Sequence, residues 1–147
     1  MKKITICTDG GSRGNPGPAA AGVVFYNEKG QQFKKYSKYL GENLTNNEAE
    51  YLAVIFALEK FKHLFGKKIA KISEVEIKSD SELLVKQLNG KYKIVDPKIQ
   101  QLFIKVWNLK LDFKKVKFHL ISRNKNKEAD SLVNEALDSI DRARSLF

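Results

Sequence analysis

The sequence predicts an α/β fold: a five-stranded mixed sheet, an antiparallel meander followed by β/α units, flanked by helices. Three observations predict it. Three stretches rich in β-branched and aromatic residues follow one another before Thr45. At Thr45 the apolar period lengthens from that of a strand to that of a helix. From there onward strand-like and helix-like segments alternate. A meander followed by β/α alternation gives a mixed sheet with helices packed on it. At 147 residues the chain is expected to form a single domain, 1–147, large enough to bury a core.

Taken in order, "KITICT" (3–8) alternates and is β-branched, which predicts a strand. "AAAGVVFYN" and "QQFKKYSKYL" predict two more, joined by a turn at 28–30. "TNNEAEYLAVIFALEKFKHLF" (45–65) is helical. Leu52, Phe56, Glu59 and His63 share one face and Ala49, Ala53, Phe56 and Lys60 the neighbouring stripe, so the apolar surface is wide and the helix well buried. Thr45 with Glu48 three residues on forms a capping box at its start. "VEIKSD" (75–80) predicts a strand running into a helix, "SELLVKQLNG", that Asn89-Gly90 stops. Asp96-Pro97 opens a further helix to Leu111, since proline suits the first helical position. "KKVKFHLIS" (114–122) predicts the last strand, "RNKNK" a polar loop and "EADSLVNEALDSIDRA" the closing helix.

Bulk properties narrow the function. The apolar stretches fall far short of the roughly 20 residues that span a bilayer, and "MKKITICTDG" has no apolar signal core, so a soluble, cytoplasmic protein without a membrane partner is expected. One cysteine, Cys7, excludes an internal disulfide and a cysteine-rich zinc site. Neither Cys7 nor any serine has a partnering base in view, which disfavours covalent nucleophilic catalysis. The net charge of +10 fits a polyanionic partner, though a lysine-rich solvated surface gives the same number.

Four acids fall at strand ends and helix starts. Asp9 ends the first strand and Asp80 the fourth; Glu50 and Asp130 lie in the first turns of two helices. Residues at the carboxyl ends of strands line the usual functional crevice of open α/β sheets. Carboxylates gathered there repel one another unless cations are present, and hard oxygen donors suit magnesium or manganese. Each acid also has an ordinary explanation. Asp9 precedes Gly10-Gly11 as a turn residue, Asp80 or Ser81 caps a helix, and Glu50 and Asp130 favour the helix dipole. Spacing alone does not join them.

The segments "TDGGSRGNPGPAAAG" (8–22), "TNNEAEYLAV" (45–54), "IKSDSELLVKQLNG" (77–90) and "NKEADSLVNEA" (126–136) resemble, in order and context, the motifs of the type 1 ribonuclease H family. The resemblance covers nearly the whole chain and implies a ribonuclease H-like fold. It also implies an endoribonuclease that hydrolyses the RNA strand of RNA–DNA hybrids with two divalent ions, Mg2+ or Mn2+, leaving 5′-phosphate and 3′-hydroxyl ends. Matched motif by motif, the metal-binding and catalytic acids fall on Asp9, Glu50, Asp80 and Asp130. The match selects Glu50 over Glu48, which the capping box explains. The substrate-contacting positions fall on Gly10, Gly11, Ser12, Asn15, Thr45, Asn46 and Asn47, with Asn15 and Thr45 resembling a pair that holds a phosphate of the DNA strand. Glycines let backbone amides approach a strand. Asparagine amides can read base edges and the 2′-hydroxyl that distinguishes RNA, and helix capping explains the same residues more plainly.

Two features depart from the commonest family pattern. The loop before the last acid, "SRNKNKEAD", lacks the histidine many members carry, and it resembles a short bacterial and archaeal branch in which an arginine stands there. Arg123 is the stand-in; it can contact a phosphate but is a poor proton shuttle, because its pKa stays above about 12. His63 and His119 are expected to be structural, and Trp107 to belong to the core. The second departure is the stretch between Leu88 and Ile99, where some relatives insert a basic helix and loop. Lys86, Lys91, Lys93 and Lys98 replace it electrostatically or are merely surface lysines. A nuclease acting also or mainly on double-stranded RNA, and a non-catalytic hybrid-binding module, are the alternatives; the module requires a lost acid, and all four are present. A monomer is expected.

Overall fold

The computed structural model describes residues 2–146. Strands β1 (Lys2–Ser12), β2 (Gly17–Tyr26) and β3 (Gln32–Leu44) form the antiparallel meander. Strands β4 (Ser73–Ser79) and β5 (Lys115–Leu120) add in parallel on the far side of β1, giving the order β3-β2-β1-β4-β5. Helices α1 (Asn46–Lys71), α2 (Glu82–Leu88) and α3 (Pro97–Lys110) connect them. A 3-10 turn, Arg123–Asn126, leads into α4 (Lys127–Ser145). This is the five-stranded mixed sheet with flanking helices that the periodicity predicts, in the predicted order.

Alternation along the central strands sends side chains to two unequal cores. Ile4, Ile6, Val23, Phe25 and Ile77 meet Tyr51, Val54, Leu58 and Phe61 of α1 in the larger one. Aromatic pairs bind its outer edge: Phe25 stands edge-on to Tyr36 at 6.0 Å between ring centres, and Phe61 to Phe113 at 5.1 Å. On the other face Cys7 and Val24 pack against Ala129 and Leu132 of α4, and Ala20 against Val133 and Leu137.

The helix starts follow their sequence signals. The Thr45 hydroxyl accepts from the Glu48 amide, and the Glu48 carboxylate accepts from the Thr45 amide, both at 3.1 Å, completing the capping box. Asp96 accepts from the Lys98 amide at 2.9 Å, with Pro97 beginning α3. Ser81 accepts from the Leu84 amide at the start of α2.

Several expectations need correction. β1 does not end at Asp9 but runs to Ser12, because β2 continues to pair with it as far as Ser12 opposite Ala19. α1 continues past Phe65 to Lys71, with Gly66 at φ 84° interrupting the helical path. The inner face of α1 is centred on Tyr51, Val54, Leu58 and Phe61, while Glu59 and His63 are exposed. His119, too, is exposed, so neither histidine is a packed structural residue. Trp107 is 53% exposed with the Lys110 ammonium over its ring, and Val106 beside it takes the buried position.

Two close approaches decide where the helices sit. A Cβ on Gly10 would stand 2.3 Å from the carbonyl carbon and oxygen of Ala49, in the first turns of α1. A Cβ on Gly22, which pairs with Asp9 across the sheet, would stand 2.0 Å from the Ala129 carbonyl oxygen in α4. Both contacts are to backbone, which has nowhere to retreat. Gly10→Ala and Gly22→Ala are each expected to lower unfolding stability by about 1–3 kcal/mol, as overpacking does. Gly11→Ala, whose Cβ meets only the Val133 side chain at 3.3 Å, is expected to cost less; urea unfolding followed by circular dichroism ranks the three.

Candidate active site

The site begins where two parallel strands part. β1 and β4 stay paired up to Cys7 opposite Lys78; beyond that β1 follows β2 alone, while β4 ends at Ser79. Asp9 and Asp80 stand on the two sides of this fork. The first turn of α1 presses on Gly10 from one face, which carries Glu50 to the same place, and the Gly10 amide donates to Glu50 Oε1 at 2.7 Å. α4 presses on Gly22 from the other face and brings Asp130 alongside. Asn126, buried just before α4, donates from Nδ2 to the Thr8 carbonyl at 2.9 Å and fastens the start of that helix to β1.

Asp9, Glu50 and Asp80 each offer a carboxylate oxygen lying within 4.8 Å of the others. Asp130 is more exposed and lies outside this group of three, but its charge acts on the Asp9 carboxyl, and all four line one open cleft of about 460 Å³. Burial pushes the Asp9 carboxyl up to about 8, with the charges of Asp80 and Asp130 adding to the effect. Burial likewise raises Glu50 well above the usual carboxylate range; Asp9 adds to this and the Gly10 amide opposes it. The ion pair that the cluster makes among the described residues is Arg123 Nε to Asp80 Oδ2 at 3.7 Å, from a side chain 93% exposed. One exposed guanidinium is little positive charge for so many acids.

A polar rim continues the cleft. The Ser12 amide donates to Asn46 Oδ1 at 2.8 Å, and the Asn46 amide donates to Asn15 Oδ1 at 2.9 Å, linking the β1–β2 loop to the start of α1. Gly10, Gly11, Ser12 and Asn46 line the cleft, and Asn15 lies one hydrogen bond behind. Thr45 is engaged as the helix cap, and Asn47 keeps a buried Oδ1 with no partner among the described residues. The Gly10 amide hydrogen is held by Glu50, and the room left by its missing side chain is filled by α1. Arg13, Ser81 and Asn134 also line the cleft; all three lie inside the quoted motifs, but nothing in the sequence singles them out as site residues, because polar residues in loops and on helix faces are ordinary. Asn126 opens the last of those motifs, but its tie to Thr8 is set only by the fold.

Comparison with known proteins places this geometry. A family described as "Reverse transcriptase-like" matches residues 7–136. The bifunctional protein Rv2228c of Mycobacterium tuberculosis is 34% identical over 93% of this chain, and a ribonuclease HI of Halobacterium salinarum is 38% identical over 88%. The chain spans 36% and 62% of the lengths of those two relatives. Among solved structures, the N-terminal RNase H domain of Rv2228c superposes with a TM-score of 0.86 at 31% identity, covering 98% of this chain and 99% of that one. LC11-RNase H1, from compost and solved with an RNA/DNA hybrid, superposes with a TM-score of 0.87 at 47% identity, covering 93% of this chain and 98% of its own. Likeness this extensive in both sequence and backbone means that the chain belongs to the type 1 ribonuclease H family.

Proposed function

We propose that this chain, acting as one ribonuclease H domain, hydrolyses the RNA strand of RNA–DNA hybrids. The observation that carries the reading is the trio Asp9, Glu50 and Asp80, with ligand oxygens within 4.8 Å of one another in an open cleft. The hybrid bound to the 47% identical LC11-RNase H1 supports the substrate class.

The cluster fits divalent cations. Its donors are hard carboxylate oxygens, their mutual repulsion is poorly compensated by protein charge, and Asp130 lines the same cleft. Asp9, Glu50, Asp80 and Asp130 are the residues that would hold Mg2+ or Mn2+. Two such ions, when bound, supply activation of an attacking water and stabilisation of the departing 3′-oxygen, giving 5′-phosphate and 3′-hydroxyl ends.

The remaining work is positioning. The Gly10 amide fixes the orientation of Glu50. Asn46 Nδ2 is free to donate to a ribose 2′-hydroxyl, because only its Oδ1 is engaged by Ser12. Gly11, Ser12 and Asn47 extend that contact along the RNA strand. Asn15 Nδ2 and the Thr45 hydroxyl proton remain to meet a phosphate of the DNA strand. Arg123, exposed beside Asp80, reaches toward the scissile phosphate as a charge rather than as a proton shuttle. The excess of lysine and arginine adds sequence-independent affinity. We further propose that the chain acts as a monomer. Among the described residues no helix is long and apolar enough to cross a membrane.

Labelled RNA–DNA hybrid, double-stranded RNA and double-stranded DNA, incubated with Mg2+ or Mn2+ or with EDTA, test the reading. The RNA of the hybrid is expected to be cut only with the metals, and Asp80→Asn to slow cutting by at least about 100-fold. Hybrid binding without cutting would return a binding module, and faster loss of double-stranded RNA would return the alternative substrate. Arg123→Ala is expected to slow hybrid cleavage by about tenfold; an unchanged rate would remove Arg123 from the site.

A stability measurement tests the cation site without activity. Burial pushes the Asp9 carboxyl from about 3.8, its ordinary value in an unfolded chain, up to about 8 in the fold, so the folded state holds the proton more tightly. Its contribution to stability is complete below the unfolded value and is lost as pH rises through the folded one. In EDTA the thermal midpoint is therefore expected to fall by on the order of 5 °C between pH 5.5 and 8.5. Mg2+ or Mn2+ is expected to abolish most of that fall, as is Asp9→Asn; a flat profile in EDTA would contradict it.

A further inference from the structure

One strongly held side chain at the cleft has no part in the chemistry above. Arg13 follows Ser12 directly, where β1 gives way to the loop that carries Asn15. Its guanidinium forks onto two carboxylates of α4, Nη2 to Asp138 Oδ1 at 2.7 Å and Nη1 to Asp141 Oδ2 at 2.6 Å. Nη2 also lies 3.4 Å from Asn134 Oδ1, and Asn134 Nδ2 lies 3.5 Å from Asp130 Oδ2. Asp130, Asn134 and Asp138 are four residues apart on α4, so they form one row along the helix face. The row leads from the fourth acid of the cluster to the clamp. At the other end of the loop the Asn15 carboxamide holds the Asn46 amide. The loop is thus pinned on both sides: by Arg13 to α4, and by Asn15 to α1.

We propose that Arg13 is a positioning residue that, through Asp138 and Asp141, fixes the β1–β2 loop against α4 and so sets the width of the cleft the hybrid enters. The assignment rests on the hybrid-cleaving reading. The fork geometry matters more than the charge. An exposed ion pair adds little to stability, and these side chains are 39%, 51% and 58% exposed. A guanidinium gripped by two carboxylates fixes orientation, which a single lysine ammonium does not. The competing role is that Arg13 itself binds a substrate phosphate and that the two aspartates merely occupy it in the free protein.

The two roles predict opposite signs. Removing both aspartates makes the protein more positive and frees Arg13, so a phosphate-binding arginine would then grip a polyanion more tightly. A clamp would lose its anchor and grip it less. Hybrid affinity is measured by fluorescence anisotropy on an Asp80→Asn background, which keeps the substrate whole, and thermal midpoints are measured alongside. The expected results are about tenfold weaker binding for Arg13→Ala, an intermediate loss for Arg13→Lys, and severalfold weaker binding for Asp138→Asn/Asp141→Asn. In the parent background KM is expected to rise while kcat stays within about threefold. Thermal midpoints are expected to stay within a few degrees. Tighter binding by the double aspartate variant, or unchanged binding by Arg13→Ala, would overturn the clamp. If the Asp80→Asn chain binds duplex RNA but not hybrid, the substrate reading falls instead, and the same variants read the clamp on duplex RNA.

Discussion

The hydrogen bond from the Gly10 amide to Glu50 at 2.7 Å exists because nothing stands between the central strand and the first turns of α1. A side chain at position 10 would occupy the space of the Ala49 carbonyl; one at position 22 would occupy that of Ala129 on the other face. Two missing Cβ atoms therefore let two helices close on the sheet from opposite sides, at the point where β1 and β4 diverge. Glu50 and Asp130 reach Asp9 and Asp80 by this route, although the four residues share no local structure. Burial follows from the same closeness, and burial is the largest cause of the raised Asp9 and Glu50 carboxyls.

That pocket is an electrostatic exception in its own molecule. The chain carries 27 basic against 17 acidic residues, a balance that would favour a phosphate backbone, yet the cleft such a backbone would enter presents carboxylates at its floor. A polyanion and an anionic floor are compatible only with positive charge between them. Arg123 alone is too exposed and too loosely held to meet that need. Divalent ions would reconcile the two, and the affinity of the surface for a polyanion and of the floor for cations would then be linked rather than independent.

Much of this was legible in the sequence, for local reasons. The capping box at Thr45, the proline at the start of α3, and the change of apolar period after β3 are decided by neighbouring residues, and each element they predict is present. What was not legible was decided by distant partners. β1 runs on to Ser12 because β2 continues to pair with it, which nothing in "DGGS" announces. That Gly10 also makes room for α1 depends on where the Ala49 carbonyl comes to lie. Asn126 and Arg13 were unremarkable polar loop residues until folding set Thr8 beside one and Asp138 and Asp141 beside the other. Trp107 was misplaced because a helix face of mixed character does not state which side meets α1. Of the four acids, the motifs singled out all of them; that Asp130 stands apart from the tight trio came only with the coordinates.

The position of β1 in the middle of the sheet also bears on how the chain reaches this state. One of its edges pairs with β2, which follows immediately, but the other waits for β4, so that Lys2 must find Ser73 and Cys7 must find Lys78. During synthesis the hairpin of β1 and β2 can form while α1 is still emerging, leaving an unpaired edge that carries Ile4 and Ile6. Closing that edge joins segments some seventy residues apart, the kind of non-local pairing that slows folding. Until it happens there is no fork to gather the three carboxylates, so a cation held there would report that β1 and β4 have paired.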